Sequence, residues 1–219
     1  HSQKGRKEML GFMTRQGRNR QRAARQLYAV VMDHSRNPDF YGAYKIPDTL
    51  EGRFEVLALH AGLLVNRLSR PDMGKYGREM AQTFFDVMFR DLEWSLREMG
   101  VGDLGVPRRV KKMMTSFKGR TFAYDEAAKS GKSEIKHALI RNVYGKVLEP
   151  HNSQLEAMAD YTMDCIRALD EQGLSDFYMG AVSYPLLDTL KLEIEDKNAI
   201  EPLPNLQQGE TEHGYQQAA

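Results

Sequence analysis

From Ala24 to Met179 the apolar residues recur every three to four positions, and no stretch alternates with period two over the length of a strand. Side chains three and four apart share one face of a helix, whereas a half-buried strand needs strict alternation. The chain is therefore expected to be all-α, a single-domain multi-helix bundle. Ala24, Leu27, Tyr28, Val31 and Met32 share the first face, which ends before Asn37-Pro38. Asp48, with Glu51 three residues on, is the expected N-cap of the next helix. There Phe54, Leu57, Ala58, Ala61, Leu64, Val65 and Leu68 make a stripe that Val56, Leu59 and Leu63 widen. A helix apolar nearly all round belongs at the centre of the bundle.

A third helix is expected over about 75–99, with Ala81, Phe85, Met88, Phe89, Leu92, Leu96 and Met99 inward. Another follows Pro107, which suits a first helical turn. A shorter one covers about 133–144 and stops at Gly145. Ser153 and Glu156 resemble a capping box for the next, and Gly173 is read as its stop. The segment 176–197 reads as helical, kinked or divided at Pro185. Residues 1–22 are expected to form a basic, partly disordered arm whose first residues, His1-Ser2, read as a cloning remnant. Residues 23–197 form the domain, and 198–219 a disordered acidic, Gln-rich tail.

A hydrophobic content of 41% and a charged content of 28% place the chain among ordinary globular proteins. The longest apolar run, Val56 to Val65, contains His60 and is far short of the ~20 residues that span a bilayer. Cys165 is the only cysteine, which excludes an intramolecular disulfide and a cysteine-cluster metal site and suits a reducing compartment. Charge is segregated. Lys4, Arg6, Lys7, Arg15, Arg18, Arg20, Arg22 and Arg25 face Glu8 alone in the first 26 residues, while the whole chain carries only +1. A basic arm on an acidic body is attracted to nucleic acid or membrane headgroups, unless it is simply a solvated leader. No apolar signal-peptide core follows it, and it lacks the serines of a transit peptide.

Gly100-Val101-Gly102-Asp103-Leu104-Gly105 spells G-x-G-x-x-G, a dinucleotide-binding pattern. That fingerprint works only where a strand delivers the pyrophosphate to a following helix N-terminus. Here DLEWSLREM precedes the glycines with helical period, so nucleotide binding is rejected. Gly100 is expected to end the helix in the left-handed region, with Gly102 and Gly105 allowing a tight link and Asp103 a turn or cap contact. After it, Val110, Met113, Met114 and Phe117 fall on one face among Arg108, Arg109, Lys111, Lys112 and Lys118. Adaptable methionines beside a cationic rim suit varied partners, although a core stripe with solvated lysines is the simpler account.

Other chemistry is absent. Glu134-Ile135-Lys136-His137 is one Glu-x-x-His, and a carboxylate di-metal bundle needs two plus further glutamates. His60 in an apolar helix reads as a hydrogen-bonded core histidine. Cys165 has no nucleophile signature, and neither a G-x-S-x-G nor a P-loop occurs. No catalytic residue, metal, cofactor or small-molecule substrate is assigned, which points to a binding protein and not an enzyme.

Four stretches together resemble the ubiquinol–cytochrome c chaperone family: IPDTLEGRFEVLALH (46–60), FFDVMFRDLEWSLREMGVGDLGVPRRVKKM (84–113), FKGRTFAYDEA (117–127) and ALIRNVYG (138–145). Their order and spacing extend the resemblance over residues 25–180. It implies an all-α, non-enzymatic assembly factor of respiratory complex III acting on newly made cytochrome b. Family members in mitochondria work with a small partner protein and associate with the ribosome. The resemblance to bacterial members implies a cytoplasmic location, peripheral to the inner membrane.

The client-binding surface is expected at Met99, Gly100, Gly102, Asp103, Gly105, Arg108, Arg109, Lys111, Lys112, Met113, Met114 and Phe117, with Met88 adding to an apolar groove. Acidic residues Asp48, Glu51, Glu55, Asp86, Asp91 and Asp103 would receive cationic client loops. Asp48, Arg53, Glu55, His60, Asp86, Arg120 and Tyr124 carry structural or binding roles. Arg53, beside the core at the head of the central helix, is expected to be paired with a carboxylate. The alternative is a ribosome- or RNA-binding helical protein acting through its arm; an enzyme or cofactor carrier with an unspelled site is a third.

Overall fold

The computed structural model describes residues 2–145, 152–189 and 192, with side chains from residue 15 onward among them. Seven α-helices occur among the described residues: α1 (Ser2–Ser35), α2 (Leu50–Ser69), α3 (Gly74–Glu98), α4 (Gly105–Ser130), α5 (Lys132–Leu139), α6 (Asn152–Asp170) and α7 (Leu174–Tyr178). More than half the chain is helical, and no strand occurs among the described residues, as the period of the apolar residues requires.

Helix α2 is the axis of the bundle. Residues 55–64 of it are all buried, and α1, α3, α4 and α6 pack around it. Burying every side of a helix needs neighbours on every side, which explains why its sequence lacks a polar stripe. Its N-cap is Thr49, whose hydroxyl accepts from the Gly52 amide at 3.0 Å. Asp48, the cap expected from sequence, instead binds Arg53. Gly52 is required there: a Cβ would lie 1.9 Å from the Pro47 carbonyl oxygen.

The remaining elements dress this axis. Helix α1 lies on α3 and α2, α4 on α2, α3 and α5, and α5 on α6. Residues 15–22 of the basic arm continue α1, and Arg20 is tied to α3 through Glu79 at 2.5 Å and Thr83 at 3.0 Å. After α5 the chain makes one π-helical stretch, Ile140–Tyr144.

Three local expectations change. Met99 does not face the core; it follows the end of α3 and is 54% exposed. Gly173 does not stop α6, which ends at Asp170; it opens α7, where its amide donates to Asp176 Oδ2 at 2.8 Å. Of the helix expected over 176–197, the described part breaks at Tyr178 and residue 192 is helical again, while 190, 191 and 193–197 lie outside the described residues. Gly180 takes φ +78°, and residues 181–189 run as a non-helical strap. Pro185 favours extended backbone before it, and the strap buries Val182 and sends the Tyr184 hydroxyl to the His60 carbonyl oxygen at 3.0 Å. The expected tail, 198–219, and the residue before α6 lie outside the described residues.

Candidate functional site

The glycine-rich link joins two helices, which removes the strand that a dinucleotide fingerprint needs. The Gly100 amide donates to the Arg97 carbonyl at 3.0 Å and the Val101 amide to the Leu96 carbonyl at 3.1 Å. With Gly100 at φ +78°, this is a Schellman stop that satisfies carbonyls at the end of α3. Gly102 needs no left-handed backbone and has open space around it, so its expected role in tightening the link is not met. A Cβ on Gly105 would lie 3.2 Å from Val101 Cγ1, a closer fit.

The link encloses a shallow, open depression lined by residues 99–105 and Arg109. Leu104 stands 97% exposed on its edge. Arg97 bridges Asp103 at 2.8 Å and Glu93 at 2.9 Å, tying the link to the last turn of α3. These two carboxylates hold the Arg97 guanidinium above its ordinary pKa, the Glu93 hydrogen bond being the larger influence. Arg108, Arg109, Lys111 and Lys112 project into solvent from the first turns of α4, and no ion pair among the described residues involves them.

The apolar residues expected to receive a partner divide. Met113 and Met114 are half-buried against the core. Phe117 is buried, its ring 5.9 Å from Phe85 and 5.7 Å from Phe89, and Met88 is fully buried. Phe117 and Met88 are thus core residues and not part of a contact surface; the amphipathic period could not say which edge of each stripe meets a neighbouring helix.

The acidic residues do not converge. Asp103 alone among them lines the depression. Asp48 holds Arg53 through both carboxylate oxygens, at 2.5 and 3.1 Å, and Arg53 lies 5.0 Å from the Tyr41 ring centroid. The pairing expected for Arg53 is present, but about half of each side chain is exposed, so burial is not its cause. Asp86 is exposed and accepts from Gln82 at 2.8 Å, and Asp91 accepts from the Tyr28 hydroxyl at 2.8 Å.

Glu55 and Arg120 form a largely buried ion pair joining α2 to α4, Arg120 Nε and Nη2 donating to the two carboxylate oxygens. Burial raises the Glu55 carboxyl above its ordinary pKa, opposed by Arg120. Tyr124, one turn along α4, is fully buried and its phenol is likewise raised, chiefly by burial.

His60 is a core histidine, as its apolar setting predicts. Its Nδ1 lies 2.8 Å from the Val56 carbonyl, so Nδ1 carries the hydrogen and Nε2 accepts from the Tyr161 hydroxyl at 2.7 Å. The Tyr161 oxygen then accepts from His34 Nε2 at 2.5 Å. Tyr184 stacks on His34 with centroids 4.9 Å apart. Burial first, then the neighbouring His34, pushes His60 down to about 3, and burial lowers His34 as well, so the neutral form is favoured at both. His34 and Tyr161 escaped the sequence reading because they come from helices 127 residues apart. Cys165 is buried beside them and pushed up to about 12 by that burial. Glu134 and His137 lie 3.3 Å apart on the surface, and no set of metal-ligating residues assembles among the described residues.

The chain is similar to known proteins over most of its length. Ubiquinol-cytochrome-c reductase complex assembly factor 1 of Xenopus laevis is 26% identical over 148 residues, covering 68% of this chain and 72% of that protein. The mitochondrial protein CBP3 of Saccharomyces cerevisiae is 29% identical over 66% of this chain and 44% of its own length. For the human assembly factor 1 the matched share is 55% of its length, so the chain spans only part of several relatives. The crystal structure of the Cbp3 homolog from Brucella abortus superposes with a TM-score of 0.71 at 29% identity, covering 82% of this chain and 97% of that one. Residues 43–184, from the turn before α2 to the strap, match the family described as Ubiquinol-cytochrome C chaperone, and the chain belongs to that family of chaperones.

Proposed function

We propose that this chain is an assembly chaperone of ubiquinol–cytochrome c reductase, respiratory complex III, which receives newly made cytochrome b at the cytoplasmic face of the membrane. One observation carries the reading: residues 43–184, which match the chaperone family, fold as α2 to α7 and include the α3–α4 link. A nascent polytopic membrane protein offers apolar helices followed by cationic loops. The depression at residues 99–105 offers Met99 to such a helix and Asp103 to such a loop. Met113 and Met114, half-buried against the core further along α4, supply adaptable packing. Arg109 is the cation that lines the depression.

Deleting the gene tests the reading. Cytochrome b and the assembled complex should fall together, with ubiquinol–cytochrome c reductase activity lost and transcripts unchanged. Normal complex in the deletion strain sinks it. A second reading is favoured by Arg15, Arg18, Arg22 and Arg25, which lie exposed along α1. A ribosome- or RNA-binding role for that row would show as affinity falling steeply with salt.

A further inference from the structure

Leu104 and Phe122 are both strongly exposed, at 97% and 68%. Their 18-residue separation is five full turns at 3.6 residues per turn, so they lie on the same side of α4. Leu104 has helical backbone angles, which keeps the phase intact to that end. The opposite side of the helix is committed to the bundle: Val106, Phe117 and Tyr124 are buried, and Val110, Met113 and Met114 pack on the core.

Between the two exposed apolar residues, at nearly the same phase, come Arg108, Lys111, Thr115 and Lys118, with Lys112 beside them. No Asp or Glu occurs from Leu104 to Tyr124. Arg120 is consumed by Glu55, and Lys118 lies 5.6 Å from the Phe85 ring centroid. Arg108, Lys111 and Lys112 have no carboxylate partner among the described residues. A merely solvated helix face would mix both signs and would not end in a bare Leu and a bare Phe.

We infer that the outer face of α4 docks on an anionic lipid surface. The helix lies flat, its cations among the lipid phosphates, with Leu104 and Phe122 entering the acyl boundary at points roughly 27 Å apart. Attraction of a basic row to anionic lipid supplies affinity and the two apolar side chains supply depth. An RNA backbone matches the cations but leaves the aliphatic Leu104 in water. No described helix is long and apolar enough to cross a membrane, so membrane contact by the described residues has to be made by a surface such as this one. The inference deepens the proposed function and rests on it only for placing the chain beside a membrane.

The test uses the purified full chain and vesicles, without client, so it succeeds or fails independently of complex III assembly. Sedimentation with phosphatidylcholine vesicles containing phosphatidylglycerol is expected, and none with phosphatidylcholine alone. Arg108→Glu with Lys111→Glu should lower the anionic-vesicle affinity by about tenfold or more, since each basic residue near such a surface contributes a several-fold factor. The basic row on α1 is identical in both proteins, so it cannot produce that difference. Phe122→Trp, in a Trp94→Phe background, should be quenched by lipids brominated in the acyl chain. Unchanged sedimentation of the charge-reversed protein, or a Trp at 122 that brominated lipid does not quench, overturns the inference. So does polyuridylate that binds the wild type, loses that binding in the charge-reversed protein and displaces it from vesicles.

Discussion

Glu55 and Arg120 meet across the α2–α4 interface in a two-pronged ion pair that leaves only 11% and 20% of their side chains exposed. Breaking one side leaves a charge stranded near the core, whereas removing both leaves an apolar seam. Arg120→Met should therefore destabilise the fold by about 3–5 kcal/mol, and Glu55→Met/Arg120→Met by far less. Denaturant melts of both singles and the double test this; additive losses would contradict it.

The glycines of the chain should respond very differently to alanine. Gly52→Ala forces a Cβ against the Pro47 carbonyl at the head of α2 and should cost about 1–3 kcal/mol. Gly100→Ala meets no atoms but must hold φ at +78°, for about 1–2 kcal/mol. Gly102→Ala meets neither obstacle and should be neutral or slightly stabilising. Equal losses at all three would mean the link is tighter than its geometry indicates.

Acid should weaken the fold through His60. Its folded pKa, pushed down to about 3 by burial, lies below the 6.5 of the unfolded chain, so the unfolded state binds the extra proton. Stability is full above pH 6.5 and is lost as pH falls from there toward 3, by up to about 1.4 kcal/mol per pH unit. His34, also lowered by burial, adds to the slope. His60→Gln should be less stable at pH 7 yet show a flatter decline between pH 6.5 and 4. An unchanged slope would exclude His60 as the titrating group.

Replacing Arg108, Arg109, Lys111 and Lys112 together with Glu should leave the far-UV dichroism and the melting midpoint close to wild type, because none of the four forms an ion pair among the described residues. The same protein should fail to restore complex III in a deletion strain. Full restoration would remove these cations from the assembly role.

Residue order alone carries the helical class, the central place of α2 and the rejection of nucleotide binding at GVGDLG, because each follows from local period and from what precedes the glycines. It also placed His60 correctly in the core. It did not reveal that Thr49 caps α2 in place of Asp48, since both residues have capping side chains and only the backbone angles choose between them. Only the packed bundle shows which apolar residues of a stripe stay outside: Met99 and Leu104 remain open, Met88 is buried, and Phe117 is sealed against Phe85 and Phe89 of α3. It likewise paired Glu55 with Arg120 and His60 with Tyr161 and His34, residues distant in the chain. Helical period fixes a residue's direction about its own axis; what lies in that direction is set by the other helices.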